Sequence, residues 1–492
     1  MNEHSAKPGK GKLLWLAMAA VAVVAAIAVG YFLPPADRVP PLESQTDQTS
    51  VVVPAETGPW KDAVRHSFPL AAADIRDSQE APVVAVDAQQ RIYLAWSSQT
   101  GSDERTLFLM TSVDRGQTFA SPRAFRKSGI FKSVSQMKGK TVARERRMLP
   151  QLAAYGDKVV IGWGDAPADG QSIQLLVAET SDGGVTFSEP VTAHESADAR
   201  PTFISMSVSP SGKVACSWLD SRNRAQQPFA AVRFAGSDTF GAEQLIFAGQ
   251  DDKGVCPCCT TVVKVADDET VVVAYRGQVD GYRDIWISVK RPSDTQFSQP
   301  VPVVSPTWEF AGCPHDGPSL AITGDVLHAA WMDARTGQQR CYYGWANLHD
   351  LKFTTQELHS AGPGTQGNAR LWTDGSGAVH AIWEESLADE PVAKIGEPAE
   401  HQHGPPTGAG RVVMHSIAPR ADGKFDLPHP LASRPGKFQT RPGIASGTSG
   451  LLVAAWNELD ETGKRVMVAV RNTSAVANEP VAQVNADSQD GK

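Results

Sequence analysis

At 492 residues, with 41% apolar and 20% charged side chains, the chain is long and apolar enough to bury a large core. A formal net charge of −8, with no Lys/Arg block beyond residues 144–147, argues against nucleic acid as the main partner. Twelve Trp against seven Tyr is an unusual skew, and most of those Trp prove to be periodic.

The chain opens on Lys7, Lys10 and Lys12, followed by an apolar run over residues 13–33 that closes at Pro34 and Pro35. At ~1.5 Å per residue such a run just spans a ~30 Å hydrocarbon core, whereas a secretory core segment is usually ~7–15 residues. The reading is a cytoplasmic N-terminus over residues 1–12 and a single transmembrane signal anchor over 13–33. The membrane is therefore one partner, and the rest of the chain is exported across a bacterial inner membrane to the periplasm or the exterior. Cleavage in the Ala-rich stretch 25–28, which would make the segment a signal peptide, is the alternative. Residues 34–60, rich in Pro, Asp, Gln, Ser and Thr, read as a flexible stalk, and residues 476–492 as a disordered polar tail.

Between them, over residues 61–475, one pattern recurs. A short apolar strand and a Gly/Asp/Asn turn lead into a second apolar strand that ends on an aromatic residue. The endings fall at Trp96, Trp163, Trp218, Tyr275, Trp331, Trp383 and Trp456. Each hairpin is β-branched and apolar with turn chemistry at its centre, which is strand patterning and not helical. Most units add a third strand and a fourth, and four antiparallel strands repeated radially make a propeller blade. The fold class is an all-β propeller, with seven blades favoured and six the alternative. The last unit lacks a fourth strand, and the segment from His66 resembles the fourth strands elsewhere. It is expected to complete that blade and so leave no open edge. The periodic Trp residues are expected to pack blades and not to face ligand.

Two junctions between third and fourth strands share a finer signature. Ser112, Asp114, Gly116, Thr118 and Phe119 match Thr180, Asp182, Gly184, Thr186 and Phe187 position for position. Asp and Ser/Thr side chains can bond the turn backbone, Gly supplies a positive φ, and the aromatic can tuck between strands. The pattern resembles the Asp box of the sialidase superfamily, a structural turn that in those enzymes lies away from the active site. The resemblance implies three arginines clamping a substrate carboxylate, a Tyr–Glu nucleophile pair, and an Asp acid/base. Arg200, Arg370 and Arg441 stand at the starts of inner strands, where such a clamp would form. The family's Arg-Ile-Pro motif is absent, and no Tyr–Glu pair can be assigned to Tyr275 or Tyr282.

Connectivity sorts the loops. Turns between strands 1–2 and 3–4 share one face of the disc with the Asp boxes, while loops between strands 2–3 and between blades share the other. That second face collects Arg200, Asp220, Arg222, Asp333, Arg335, Arg370 and Arg441. The arginines are candidate ligand-binding residues. Asp220 and Asp333 are catalytic candidates together with Arg200, Arg370 and Arg441. The two Asp-x-Arg repeats can alternatively serve as braces between neighbouring blades.

The same face carries Cys256, Cys258 and Cys259 before the fourth unit, and Cys313 with His315 before the fifth. Three explanations stand: loop-stapling disulfides, a thiolate/imidazole site for Cu or Zn, or a redox-active thiol pair. Cys216 and Cys341 read as buried free thiols. A long insertion in the sixth unit holds His401 and His403, expected to form a solvated loop. The expected function is a membrane-anchored binding or interaction module acting through this funnel. Alternatives are a sialidase-type hydrolase of acidic sugars, or a scaffold docking a protein partner.

Overall fold

The protein is described from a computed structural model. It covers residues 59–70, 81–137, 140–145, 149–360, 364–387, 410–421, 423–432, 437–460 and 463–472. The apolar run 13–33, most of the stalk, Arg146 and Arg147, the His401/His403 insertion and the polar tail lie outside the described residues. Among the described residues, no helix is long and apolar enough to cross a membrane.

The alternating hairpins form as their patterning predicts. In the first unit, Val83–Val86, Ile92–Gln99, Glu104–Ser112 and Arg123–Gly129 pair in order as an antiparallel meander. Four further four-stranded sheets begin at Gln151–Tyr155, Pro201–Val208, Val262–Val265 and Ser319–Thr323. An eight-stranded sheet consists of two more meanders, beginning at Gln366–Thr373 and Phe438–Ser446 and joined by one parallel bridge between Arg411 and Phe438. The described residues thus contain seven four-stranded antiparallel units. A hairpin of Lys132–Met137 and Lys140–Glu145 extends from the first.

The last unit is completed from the other end of the chain. Val64–Pro69 pairs along its whole length with Gly463–Asn472, His66 opposite Val468 and Phe68 opposite Val466. Trp60, at the end of the expected stalk, is fully buried, and its indole donates to His415 Nδ1 at 3.1 Å. Buried Arg65 secures the same segment, donating to the carbonyls of Trp60 and Leu431 at 2.6 and 3.0 Å.

The core lies between units, because each sheet is apolar on both faces. Separate apolar clusters fill the junctions from the first-to-second unit (Leu109 with Trp163) through to the sixth-to-seventh (Ile382 with Trp456). A further cluster joins the seventh unit back to the first, with Val453 and Val468 against Ile92 and Trp96. Trp96, Trp163, Trp218, Tyr275, Trp331, Trp383 and Trp456 are all buried in these layers.

Both Asp boxes form. Ser112 Oγ donates to Asp114 Oδ1 at 2.7 Å, and the Thr118 amide donates to the same oxygen at 2.9 Å. In the second box, Thr180 Oγ1 donates to Asp182 Oδ1 at 2.9 Å and Thr186 Oγ1 to Asp182 Oδ2 at 2.6 Å. Gly116 and Gly184 take φ of +82° and +83°, as a tight turn of this kind requires. Phe119 packs edge-on against His66 and Phe68, and Phe187 against Phe125. The first box therefore rests on the closing strand.

Candidate thiol centre and central channel

The loop before the fourth unit is fixed by its backbone. The Val255 amide donates to the Gln226 carbonyl at 2.8 Å and the Cys256 amide to the Arg276 carbonyl at 3.1 Å. Gly254 has a φ of +78°, and a Cβ there would sit 2.3 Å from the Gln226 carbonyl oxygen. The outcome is convergence of three buried thiols. Cys256 Sγ lies 3.7 Å from Cys258 Sγ and 3.2 Å from Cys259 Sγ. Their sulfurs all fall within 4.8 Å of one another. Cys313, from the loop before the fifth unit, packs against them. All six cysteines are free thiols in this structure.

The cluster favours a single thiolate. Hydrogen bonds from Cys258, Cys259 and Cys313, with the Arg276 guanidinium nearby, hold the Cys256 thiol well below its usual range despite burial. Burial and the Cys256 charge push Cys259 up, and hydrogen bonding to Cys256 pushes Cys258 up. Arg276 is itself pinned, donating to the carbonyls of Asp316, Arg283 and Met332 at 2.9, 2.6 and 2.7 Å. His315, like Cys313, falls outside the group of three sulfurs within 4.8 Å of one another, and it is among the residues that line the central cavity.

That cavity, about 210 Å³, is enclosed by the first strands of the units. Three of those strands carry a bulge where a residue other than glycine takes a positive φ: Phe203 (+52°), Asn368 (+50°) and Arg441 (+56°). Strain of this kind, at roughly 1–3 kcal/mol per residue, concentrates at functional sites. Two of the bulges are tied together. Arg441 Nη1 donates to Asn368 Oδ1 at 2.8 Å, and buried Glu384 accepts from the Arg441 amide and from Asn368 Nδ2, each at 2.7 Å. Asp316 Oδ2 accepts from the Asn368 amide at 2.6 Å, while its Oδ1 is buried without a hydrogen-bond partner.

Of the arginines singled out in the sequence, Arg370 and Arg441 both line the cavity. Arg200 does not, and its guanidinium donates instead to the Ala199 carbonyl at 2.8 Å. Arg222 and Arg335 belong to braces. Asp220 accepts from Trp218 Nε1 at 3.0 Å and from Arg222 Nη2 at 2.7 Å, and Asp333 receives Trp331 Nε1 at 3.0 Å together with Arg335. Arg222 lies over the Phe229 ring at 4.5 Å and Arg335 over Tyr342 at 4.2 Å. The hydrogen bonds of these braces fall within a unit, because the acid two residues past the Trp reaches back to its indole, and Arg335 also feels the Asp284 carboxylate of the neighbouring unit. Glu385 serves Trp383 in the same way at 3.1 Å. Sequence reasoning passed over Asn368 and Lys264 as ordinary strand residues, and only the bulge geometry and the channel position mark them out.

No family model matches the sequence, and no curated protein does either. Solved structures do. A Trypanosoma rangeli sialidase is 12% identical at a TM-score of 0.39, covering 69% of this chain and 57% of its own. The chain thus spans a little over half of that enzyme. A Hadza microbial sialidase is 13% identical at a TM-score of 0.41, covering 66% of this chain and 67% of its own. An intramolecular trans-sialidase from Ruminococcus gnavus is 10% identical at 0.43, covering 65% and 93%. The fold is sialidase-like. That statement stands on the Asp-box hydrogen bonds and the four-stranded units themselves, since likeness at this level assigns neither residue roles nor activity. Tyrosine is missing from the described residues that line the cavity. Tyr275 is buried, and burial pushes its hydroxyl upward.

Proposed function

We propose that this chain is a closed seven-bladed binding propeller, held at a membrane by residues 13–33, whose Cys256, Cys258, Cys259 and Cys313 bind a soft metal ion. The convergence of three buried sulfurs within 4.8 Å carries the reading. Zn–S bonds of ~2.3 Å in a tetrahedron place sulfurs about 3.8 Å apart, and Cys256 to Cys258 measures 3.7 Å. An all-sulfur set selects Zn or Cu(I) over hard cations. Arg276 supplies positive charge beside a site that becomes anionic when several thiols ionise, and its fixed hydrogen bonds hold it there. A bound metal would give this face structural rigidity or, as Cu(I), a capacity for metal delivery. His315, which is among the channel-lining residues, is not needed to complete this four-sulfur set.

Metal content and intact mass of anaerobically purified protein test the proposal. One equivalent of Zn or Cu is expected, falling at least tenfold in Cys256→Ser and Cys313→Ser. Metal-free protein with a mass lowered by a disulfide would overturn it in favour of stapled loops. Retention of the chain in the membrane fraction after alkaline extraction tests the anchor, and full release would refute it.

A further inference from the structure

The central channel presents a chemistry unlike the thiol centre. Its wall is mostly aliphatic, with Val83, Leu152, Ile204, Met206, Leu320 and Ile444 among the lining residues. The ionisable residues that line it are Lys264, Arg370, Arg441 and His315, with neither Asp nor Glu among the described lining residues. Lys264 lies on Val262–Val265, and its ammonium stands 5.3 Å from the centre of the Trp372 ring, two units around the channel. The strand registers place Lys264 and Trp372 at one level, opposite Val272 and His380 respectively, and Arg370 at the level of Val262 nearer the funnel mouth. Arg370 and Arg441 have hydrogen-bond acceptors in Ala369 and Asn368. For Lys264, neither an ion pair nor a hydrogen bond is found among the described residues.

We propose that this channel binds a small carboxylic acid with an apolar body, its carboxylate paired with Lys264 and its body against Trp372 and the aliphatic wall. The Lys264 side chain is half-buried at the channel wall, and an ammonium partly withdrawn from water gains from an accompanying anion. Burial lowers the Lys264 amine to about 8, so at pH 7 it remains mainly a cation whose charged form is disfavoured. A carboxylate would stabilise that form, and the guanidinium groups nearer the mouth attract the same charge. The volume is sufficient, since an apolar cavity of about 150 Å³ holds benzene. A sugar acid would leave its hydroxyls against aliphatic side chains, which selects an apolar body. The site shares no residue with the thiol centre and stands whether or not that centre binds metal.

Benzoate titrated calorimetrically into the full chain at pH 7 is the test, with benzamide as its uncharged counterpart. Benzoate is expected to bind at least ~10-fold more tightly than benzamide, and Lys264→Met to remove that preference. Wild-type affinity should fall as pH rises from 7 to 9, while Lys264→Met stays flat. In wild-type protein, benzoate should raise the Lys264 titration midpoint read by NMR of the dimethylated amine, a readout that does not depend on a variant folding. Equal binding of benzoate and benzamide, unchanged benzoate affinity in Lys264→Met, or an unmoved Lys264 midpoint would each overturn the proposal.

Discussion

Replacing Gly116 by Ala probes whether the first Asp box is clamped against the unit that closes the ring. Gly116 holds a φ of +82°, and a Cβ there would lie 2.6 Å from Val470 Cγ2 and 3.0 Å from Ile92 Cδ1. The left-handed backbone costs an L-residue about 1–2 kcal/mol. Forcing a methyl into a filled contact adds about 1–3 kcal/mol. Gly116→Ala should therefore destabilise by about 2–5 kcal/mol. Gly156 is the matched control, with a φ of +52° and nothing within 4 Å of its Cβ position, so Gly156→Ala should show only the backbone cost of about 1–2 kcal/mol. Equilibrium urea unfolding of both variants, at unchanged slope, reads the difference. Equal losses would mean that the first and last units do not press together at that turn, and the closure drawn from Val470 would fail.

Asp220→Ala strips four hydrogen bonds from a fully buried brace, leaving the Trp218 indole N–H and the Arg200 and Arg222 amides without that acceptor. A loss of about 3–5 kcal/mol is expected, and a loss under about 1 kcal/mol in urea unfolding would refute the brace. The Asp boxes predict an acid-sensitive contribution to stability. Burial opposes ionisation of Asp114, yet hydrogen bonds from Thr118 and Ser112 hold it down at about 2, and those from Thr186 do the same for Asp182. Both lie below the unfolded value of about 3.9, so their stabilisation is complete above about pH 4 and is lost as pH falls toward 2. The stability gap between wild type and Asp114→Asn should narrow over that window, and a constant gap would refute the assignment.

Much of the fold was legible because its signals are local. Period-2 apolar runs, turn residues and a repeated aromatic stop marked each hairpin. The two Asp boxes were legible as well, since every bond they make falls within a few residues. Even the closing strand could be read from the likeness of the His66 segment to the fourth strands. The site was less legible. Phe203, Asn368 and Arg441 do not look like bulge positions, because none is glycine and their positive φ is imposed by neighbours such as Glu384. Asp220 and Asp333 sat on the expected face and looked available, but a Trp indole two residues back takes each one. Lys264 carried no local signal, because it is one residue of the short strand Val262–Val265 and only ring closure sets it on the channel.

The sequence by itself determined the strands, their turns and the meeting of the two cysteine loops, since these follow from short-range patterning and from adjacency of consecutive units. Only the tertiary structure decided what faces the axis. Closing a ring turns one side of each first strand toward every other unit, so Lys264 meets Trp372 and Arg370 approaches Arg441 across separations that no local pattern encodes. The same closure sets His315 among the residues that line the channel, while the sulfurs of Cys256, Cys258 and Cys259 converge within one loop.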